Sequence, residues 1–304
     1  MCMDSIIITG ANDSYFKTLI TFIENFVTNF EAQKLIVYDL GLNETNNTII
    51  LDMQKKYNFE LKHFDYSLYP EHVNLNNYYG LYCSYAFKPI IIFNEANNQT
   101  NKDKIIIWMD SANRFGNTEI GNIYNIVKSQ GIYSPVSNGE KTIESIELNH
   151  PYTVNKLGLT EFEHKNNLRS VSANLVGFDY QSKAGFEILN DWYKYSLDKT
   201  IIMPEGSSRN NHRQDQTILS ILMYLYEKNN NITFERNNVG VRFWNKLDNS
   251  TVESGYYPFK LIDKLTNTQL AIIFSKNIDE AISTYSNRKL MDEKTFLENF
   301  IVSQ

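Results

Sequence analysis

Cysteine and long apolar runs are both scarce in this chain. Its 304 residues include two cysteines, Cys2 and Cys83, which excludes a disulfide framework and leaves no zinc-ligand pattern. No stretch approaches the roughly 18 consecutive apolar residues of a membrane span. The first five residues, Met-Cys-Met-Asp-Ser, lack the positive charge and apolar core of a signal peptide. We therefore expect a soluble protein of the cytoplasm, a reducing compartment, with no membrane span.

Excess positive charge and glycine-rich phosphate loops are also missing. The net charge is −6 and the pI is near 5.5, whereas a protein that binds a nucleic-acid backbone is usually basic. The chain contains neither a G-x-G-x-x-G pattern after its first predicted strand nor a G-x-x-x-x-G-K-[ST] pattern. These absences disfavour a dinucleotide-dependent dehydrogenase and a P-loop enzyme. Nucleic acid is not an expected partner.

The most informative stretch present is an apolar run that ends at an acid. Residues 105–109, Ile-Ile-Ile-Trp-Met, are followed directly by Asp110. Five apolar residues in a row predict a strand buried on both faces, as in a parallel sheet. Asp110 then lies at the carboxyl end of a central strand, where open α/β sheets bind their ligands. Its carboxylate is suited to binding a divalent metal, to accepting hydrogen bonds from a sugar, or to capping the next turn.

Strands and helices alternate along the first half of the chain. We predict strands over 5–9, 35–38 and 59–64, with helices over 15–30 and 45–57 between them. This order predicts a right-handed, mostly parallel sheet. Further on we predict a helix over 80–97, an irregular polar segment over 137–168, a strand over 171–178, an apolar helix over 214–226 and an amphipathic helix at the end of the chain.

Polar clusters follow the predicted strands or begin the predicted helices. They are Thr9-Gly10-Ala11-Asn12, Asp39, Tyr85-Ala86-Phe87-Lys88-Pro89, Asp110-Ser111-Ala112-Asn113 and His212-Arg213-Gln214-Asp215-Gln216. In this order they resemble the GT-A-fold glycosyltransferases, which take a sugar from a nucleotide-diphosphate donor. The similarity is to the group around glycogenin and the bacterial lipopolysaccharide galactosyltransferases, and to a related group expanded in nematodes. It covers roughly residues 5–228 and rests on motif order.

The resemblance implies an α/β fold of the GT-A-like type. Such a fold has a mostly parallel, Rossmann-like sheet flanked by helices, here with a small C-terminal α/β extension. We expect residues 1–240 to form the nucleotide-sugar-binding and catalytic domain. Residues 241–304 are expected to form the extension, packed on the same domain.

The family binds a divalent metal, usually manganese, through a strand-end Asp-x-Asp motif. The matching segment here keeps its first acid alone, so the resemblance implies Asp110 as a ligand of Mn²⁺ or Mg²⁺ and as a donor contact. The alternatives for the missing second acid are Asn113 as a weak substitute oxygen ligand, or Arg114 as a source of positive charge instead. Lys88 matches, with a one-residue displacement, the basic residue that contacts the donor in the family. The alternative for Lys88 is a solvated helix residue.

Further donor contacts follow from the same resemblance. They are Thr9, Ala11 and Asn12 for the nucleoside, Tyr15 for stacking on the base, Asp39 for the base or ribose, and Asn174, in Ser172-Ala173-Asn174, for the sugar. Tyr15 is equally compatible with a core position, and Asp39 with a turn cap. Asp215 and Gln216 resemble the Asp-Gln segment that the family places beside the anomeric carbon, whereas the other interpretation of Asp215 is an acid at a helix start. His212 and Arg213 are candidates for contacts with the acceptor or a phosphate.

The function implied is that of a glycosyltransferase, hexosyltransferase-like, using a nucleotide-diphosphate sugar. The donor nucleotide implied is UDP, the stereochemistry favoured is retention, and the acceptor is an unidentified glycan or protein. The incomplete acidic motif supports an alternative, a non-catalytic relative that binds a nucleotide sugar or glycan. A nucleotidyltransferase would need a glycine-rich, basic loop after the first strand, and Gly10-Ala11-Asn12-Asp13 does not supply one.

Overall fold

A computed structural model describes most of the chain. The described residues are 4–30, 33–75, 83–137, 148–208, 211–243, 257–265, 269–275, 278–279, 282–283 and 292–303. The chain divides into two compact units, residues 1–243 and 244–304. Within the described part, no helix is both long and apolar enough to cross a membrane. The expected packing of a C-terminal extension on the first domain stays a prediction.

The first unit is built on a six-stranded mixed sheet. The strands of this unit are β1 (Ser5–Ala11), β2 (Lys34–Asp39), β3 (Glu60–His63), β4 (Ile105–Met109), β5 (Asn113–Arg114), β6 (Ile132–Tyr133), β7 (Leu175–Phe178) and β8 (Arg242–Phe243). The sheet order is β3-β2-β1-β4-β7-β6, in which β7 runs antiparallel to both of its neighbours and the other pairs are parallel. Strands β5 and β8 form a separate antiparallel pair.

Helices cover both faces of this sheet. They are α1 (Phe16–Asn29), α2 (Glu44–Lys56), α3 (Phe87–Asn97), α4 (Asn117–Gln130), α5 (Pro151–Lys156), α6 (Glu161–Asn166), α7 (Lys183–Ser196), α8 (Lys199–Ile202) and α9 (Gln214–Asn230). Helices α3, α7 and α9 pack against one face, and α1 and α4 against the other. The predicted α/β class, with a mostly parallel, Rossmann-like sheet flanked by helices, is confirmed.

The central strands are apolar throughout because both of their faces are buried. Along β4, Ile106 and Trp108 belong to one apolar cluster, while Ile105, Ile107 and Met109 belong to the other. Successive side chains of a strand point to opposite faces, so a strand between two helical layers needs apolar residues at every position. All five residues of β4 are buried. The strand predicted from the apolar run is therefore confirmed.

Four local predictions differ from the structure. Of the helix predicted over 80–97, residues 80–82 lie outside the described part, residues 83–86 are not helical, and α3 begins at Phe87. Pro89 lies in its first turn, where a missing N–H breaks no bond within the helix. The strand predicted over 171–178 begins at Leu175. The predicted irregular segment 137–168 contains α5 and α6, while residues 138–147 lie outside the described part. The predicted C-terminal helix ends at Asn299, and a strand follows it.

The second unit has its own small sheet. Strands β9 (Tyr257–Asp263), β10 (Gln269–Ser275) and β11 (Phe300–Ser303) form it in the antiparallel order β10-β9-β11. Helix α10 (Glu293–Asn299) directly precedes β11. Asp292 caps this helix, because its side chain accepts a hydrogen bond from the Thr295 backbone N–H.

Candidate active site

A cleft lies at the carboxyl ends of β1 and β4. Its volume is about 490 Å³, within the range of small-molecule sites. The described residues that line it are Gly10, Ala11, Asn12, Tyr15, Leu40, Leu75, Tyr85, Phe87, Lys88, Trp108, Asp110, Ser111, Ala112, Ser137, Ser172, Ala173, Asn174, Arg213, Gln214, Asp215 and Gln216. Five separate segments supply most of this lining: the end of β1, the start of α3, the turn after β4, the turn before β7 and the start of α9.

Gly10 permits the close approach of β1 and β2 at the edge of this cleft. A Cβ atom at Gly10 would lie 2.9 Å from the backbone oxygen of Tyr38, which is closer than ordinary packing allows. Residues 8 and 108 are paired in the parallel register of β1 and β4. The turns that follow these two strands consequently start from the same edge of the sheet, as the sequence predicts.

One carboxylate oxygen of Asp110 contacts two other side chains of the cleft. The Trp108 indole Nε1 donates to its Oδ1 over 2.7 Å, and the Lys88 Nζ lies 3.2 Å from the same oxygen. The Asp110 backbone N–H donates to the Asn174 oxygen over 2.8 Å, which ties this turn to the one before β7. The side chain is 33% exposed, and its Oδ2 accepts no hydrogen bond from the described residues. That oxygen is available to a ligand.

Lys88 is buried, not solvated. The residue is 4% exposed, and its Nζ donates to the Ala173 backbone oxygen over 2.9 Å. The same Nζ lies 3.3 Å from Oδ2 of Asp215 as well as near Asp110. Burial lowers the pKa of Lys88, but the two carboxylates outweigh it, and the net shift is upward. The side chain is therefore an ammonium at neutral pH, and the solvated alternative is wrong.

Asp215 lies in the first turn of α9 and is 4% exposed. Its Oδ2 pairs with the Lys88 ammonium without the alignment of a hydrogen bond. Burial raises the pKa of Asp215 to about 6, Lys88 opposes that shift, and the charge of Asp110 adds to it. The N-cap position of α9 belongs to Arg213. Asp215 is thus an acid in the first turn of the helix that is also paired with Lys88, and both interpretations given for it from the sequence remain open.

Two strained backbone positions adjoin these charged residues. Tyr85 has φ of 53° and Gln214 has φ of 39°, and both line the cleft. Left-handed φ values in residues other than glycine cost free energy, on the order of 1–3 kcal/mol in sparsely populated regions, and they cluster at functional sites. Gln214 is also 3% exposed, and its Nε2 has no hydrogen-bond partner among the described residues. No pattern in the sequence signals either conformation.

The structure brings nine of the predicted site residues to the cleft. They are Ala11, Asn12, Tyr15, Lys88, Asp110, Asn174, Arg213, Asp215 and Gln216. The predicted residues absent from its described lining are Thr9, Asp39, Asn113, Arg114 and His212. The ligand roles assigned to all of them stay predictions.

The side chains outside the lining hold neighbouring backbone in place. Oδ1 of Asp39 accepts hydrogen bonds from the backbone of residues 41 and 42, which is the turn-cap arrangement. Nδ2 of Asn113 donates to the backbone oxygens of Asp110 and Asn174. Arg114 donates through NH1 to the backbone oxygens of residues 111 and 113. These contacts stabilise the turns that carry the cleft. Thr9 is fully buried within β1.

His212 is a buried, neutral imidazole. Its Nδ1 accepts a hydrogen bond from the His150 backbone N–H over 3.3 Å, and its Nε2 lies 3.1 Å from the Ile202 backbone oxygen. Burial lowers the pKa of His212 to about 4, and the neighbouring His150 contributes to the decrease. His212 therefore fixes the chain that leads into α9.

The described side chains of the cleft do not by themselves form a site for a divalent metal. Such ions take several oxygen ligands, and magnesium is held by one or two carboxylates together with phosphates. The Lys88 ammonium already lies beside both Asp110 and Asp215. Among the described residues, no group of three or more His, Cys, Asp or Glu side chains is placed to hold a metal ion. The expected Mn²⁺ or Mg²⁺ site at Asp110 lacks support from this donor set.

Comparison with known proteins finds a family match and similar folds. The family is described as "Protein of unknown function (DUF1647)" and matches residues 2–93, less than half of the chain. No curated protein matches. Galactosyltransferase LgtC, with donor and acceptor sugar analogues, is 14% identical with a TM-score of 0.43, over 71% of this chain and 70% of LgtC.

Two further solved structures share the likeness. The bifunctional glycosyltransferase WbbM is 10% identical with a TM-score of 0.48, over 77% of this chain and 39% of WbbM. Core-mannan synthase A of Aspergillus fumigatus, in an Mn/GDP form, is 10% identical with a TM-score of 0.37, over 73% of this chain and 69% of the synthase. The structures to which this chain is similar are thus glycosyltransferases, with TM-scores below 0.5. At these identities the likeness concerns the fold, and no role of a residue is taken from it.

Proposed function

We propose that this protein is a glycosyltransferase that moves a sugar from a nucleotide-diphosphate donor, UDP being the nucleotide, to an acceptor hydroxyl. The observation that carries the proposal is the cluster of Lys88, Asp110 and Asp215 in a ligand-sized cleft at the carboxyl edge of the sheet. Buried charges with shifted pKa values in a cleft are typical of catalytic sites. Open α/β sheets bind ligands at this edge.

The lining of the cleft can be divided among the three parts of such a donor. We assign the nucleoside to Ala11, Asn12 and Tyr15, the diphosphate to Lys88 and Arg213, and the sugar to Asp110, Asn174, Asp215 and Gln216, all of which line the cleft. The exposed Oδ2 of Asp110 is suited to accept a hydrogen bond from a sugar hydroxyl.

The chemistry needs charge stabilisation at two places. Negative charge develops on the diphosphate as it leaves, and the ammonium of Lys88 is a preorganised cation for it. Positive charge develops on the sugar, and the carboxylate of Asp215 stabilises it beside the amide of Gln216. The acceptor hydroxyl must be held against the anomeric carbon. We propose that the configuration at that carbon is retained.

The test is nucleotide release from a panel of UDP-sugars and GDP-sugars, with and without simple sugar acceptors. We expect the wild-type protein to release nucleotide from at least one donor, and Asp215→Asn to do so orders of magnitude more slowly while it still unfolds in a cooperative thermal transition. Near-normal release by Asp215→Asn would remove Asp215 from the site. No release from any donor by a folded protein would contradict the activity.

A non-catalytic nucleotide-sugar or glycan-binding protein is the second candidate. It is favoured by the burial of Asp215, whose Oδ2 is paired with Lys88 and is not exposed. This candidate predicts that a nucleotide sugar binds and is recovered intact. Calorimetric binding without release of nucleotide would identify it.

A further inference from the structure

The Lys88 ammonium lies between the two carboxylates of the cleft. Its Nζ is 3.2 Å from Oδ1 of Asp110 and 3.3 Å from Oδ2 of Asp215. These are the acidic side chains among the described residues that line the cleft. A divalent ion that bound Oδ1 of Asp110 and Oδ2 of Asp215 together would have to occupy the space that the ammonium fills.

The ammonium is fixed in this place by groups other than the acids. It donates to the Ala173 backbone oxygen over 2.9 Å, and it lies 5.9 Å from the Tyr85 ring centroid and 6.0 Å from that of Trp108. Trp108 in turn donates to Asp110 over 2.7 Å. Lysine side chains buried this deeply are rare unless they are paired, so the arrangement is a built feature of the cleft.

A divalent ion entering this position would meet a like charge. The repulsion between charges a few ångströms apart is strong where water is excluded, and Lys88 is 4% exposed. The ammonium already compensates part of the negative charge that would attract the ion. Asn113, the substitute ligand expected from the sequence, uses its amide to hold two backbone oxygens.

We propose that the Lys88 ammonium takes the place of a divalent metal in this cleft, so that a nucleoside diphosphate binds without Mn²⁺ or Mg²⁺. The inference rests on the proposed function. The charged side chains among the described residues lining the cleft are Lys88, Arg213, Asp110 and Asp215, so the two cations and the two acids balance. A diphosphate contacts the two cations, while Asp110 is left to accept hydrogen bonds from the sugar.

The first experiment is titration calorimetry of the wild-type protein with UDP and with GDP. Each nucleotide is titrated in EDTA, in Mg²⁺ and in Mn²⁺. We expect the dissociation constant of the nucleotide that binds to agree within about threefold across the three conditions. More than tenfold tighter binding in Mn²⁺, with binding lost in EDTA, would overturn the inference and leave the proposed function standing. No binding of either nucleotide in any condition would overturn both.

The second experiment measures the binding of Mn²⁺, without nucleotide, by the electron paramagnetic resonance signal of the free ion. We expect the wild-type protein to leave the Mn²⁺ signal unchanged. Lys88→Met keeps a long apolar side chain but removes the charge, so Asp110 and Asp215 become free to bind the ion and we expect the free signal to fall. The double variant Lys88→Met with Asp110→Asn should restore the free signal, because it removes one of the two ligands.

Melting temperatures of the variants establish that each is folded. The measurements on the wild-type protein test the inference even if a variant fails to fold. Mn²⁺ binding by the wild-type protein as tight as that by Lys88→Met would overturn the inference. Unchanged Mn²⁺ signals in a folded Lys88→Met protein would also overturn it, since the ammonium would then not be what keeps the ion out.

Discussion

Lys88 contacts both acids of the cleft, so its charge has a direct consequence for ligand binding. Lys88→Gln removes the ammonium and should weaken UDP binding by roughly 1.5–3 kcal/mol, the range for a hydrogen bond to a charged group. Calorimetry on both proteins measures the difference. The matched control is Lys62→Gln. Lys62 also lies near two acids, Glu95 at 2.6 Å and Glu60 at 3.3 Å, but does not line the cleft. Equal effects of the two variants would contradict the role of Lys88.

Asp110 has one oxygen held by Trp108 and Lys88 and the other available to a ligand. Asp110→Asn keeps an acceptor for the Trp108 indole but removes the charge. We expect nearly complete loss of donor turnover, with the melting temperature little changed. The affinity for a UDP-sugar should fall more than the affinity for UDP, because Asp110 is assigned to the sugar. The control is Asp52→Asn, an exposed acid paired with Lys55 on α2. Wild-type turnover by Asp110→Asn would exclude Asp110 from the site.

Asp215 makes stability depend on pH in an unusual direction for a carboxyl group. Burial raises its pKa from 3.8 to about 6, so the folded protein holds the proton more tightly than the unfolded chain does. The contribution of this carboxyl to the free energy of unfolding is largest below about pH 4, and it is lost as the pH rises through about 6.

The variant Asp215→Asn resembles the protonated acid and does not titrate. Its free energy of unfolding should therefore rise relative to wild type between about pH 4 and pH 7, by up to about 3 kcal/mol. Urea denaturation of both proteins at several pH values measures this. A constant difference across the range would show that the pKa of Asp215 is not raised.

At the scale of elements, the start of α9 depends on His212. This imidazole joins the segment at His150 to the one at Ile202, directly before the helix that carries Asp215. Its lowered pKa, about 4, means that the folded protein resists protonation of this ring. The stability contributed by His212 is full above about pH 6.5 and is lost as the pH falls toward about 4.

NMR titration of the histidine ring protons tests this placement. We expect the His212 resonances to titrate with a midpoint near 4. A His212 midpoint near 6.5 would contradict the buried position.

Elements with a strong apolar pattern were predictable from the sequence. Strand β4 is one case, since a run of five apolar residues has few alternatives between two charged flanks. Helix α3 shows the limit: apolar residues before Phe87 suggested an earlier start, whereas the chain there turns through a left-handed Tyr85. The strand at the end of the chain was missed because its four residues directly follow a helix. Both errors come from tertiary context overriding a local pattern.

At the scale of the whole molecule, the sequence predicted that the candidate site residues meet at one edge of the sheet. It did not predict which side chains contact each other there. The carboxyl ends of parallel strands meet at one edge, so residues after β1 and β4 had to be neighbours. The ion pair between Lys88 and Asp215 joins the first turns of α3 and α9, which are 127 positions apart in the chain. No periodicity reports such a contact, because it depends on how two helices pack on the same face of the sheet.

The most direct test of the account is a ³¹P NMR time course of nucleotide sugars with the wild-type protein, in a buffer that contains EDTA. UDP-glucose, UDP-galactose and GDP-mannose are the probes, with Asp110→Asn as the matched inactive protein. The account predicts that the diphosphate resonances of at least one donor broaden on binding and are then replaced by those of the free nucleoside diphosphate, in the wild-type sample alone. Unchanged resonances for every donor, in EDTA and again after Mn²⁺ is added to a folded sample, would contradict it.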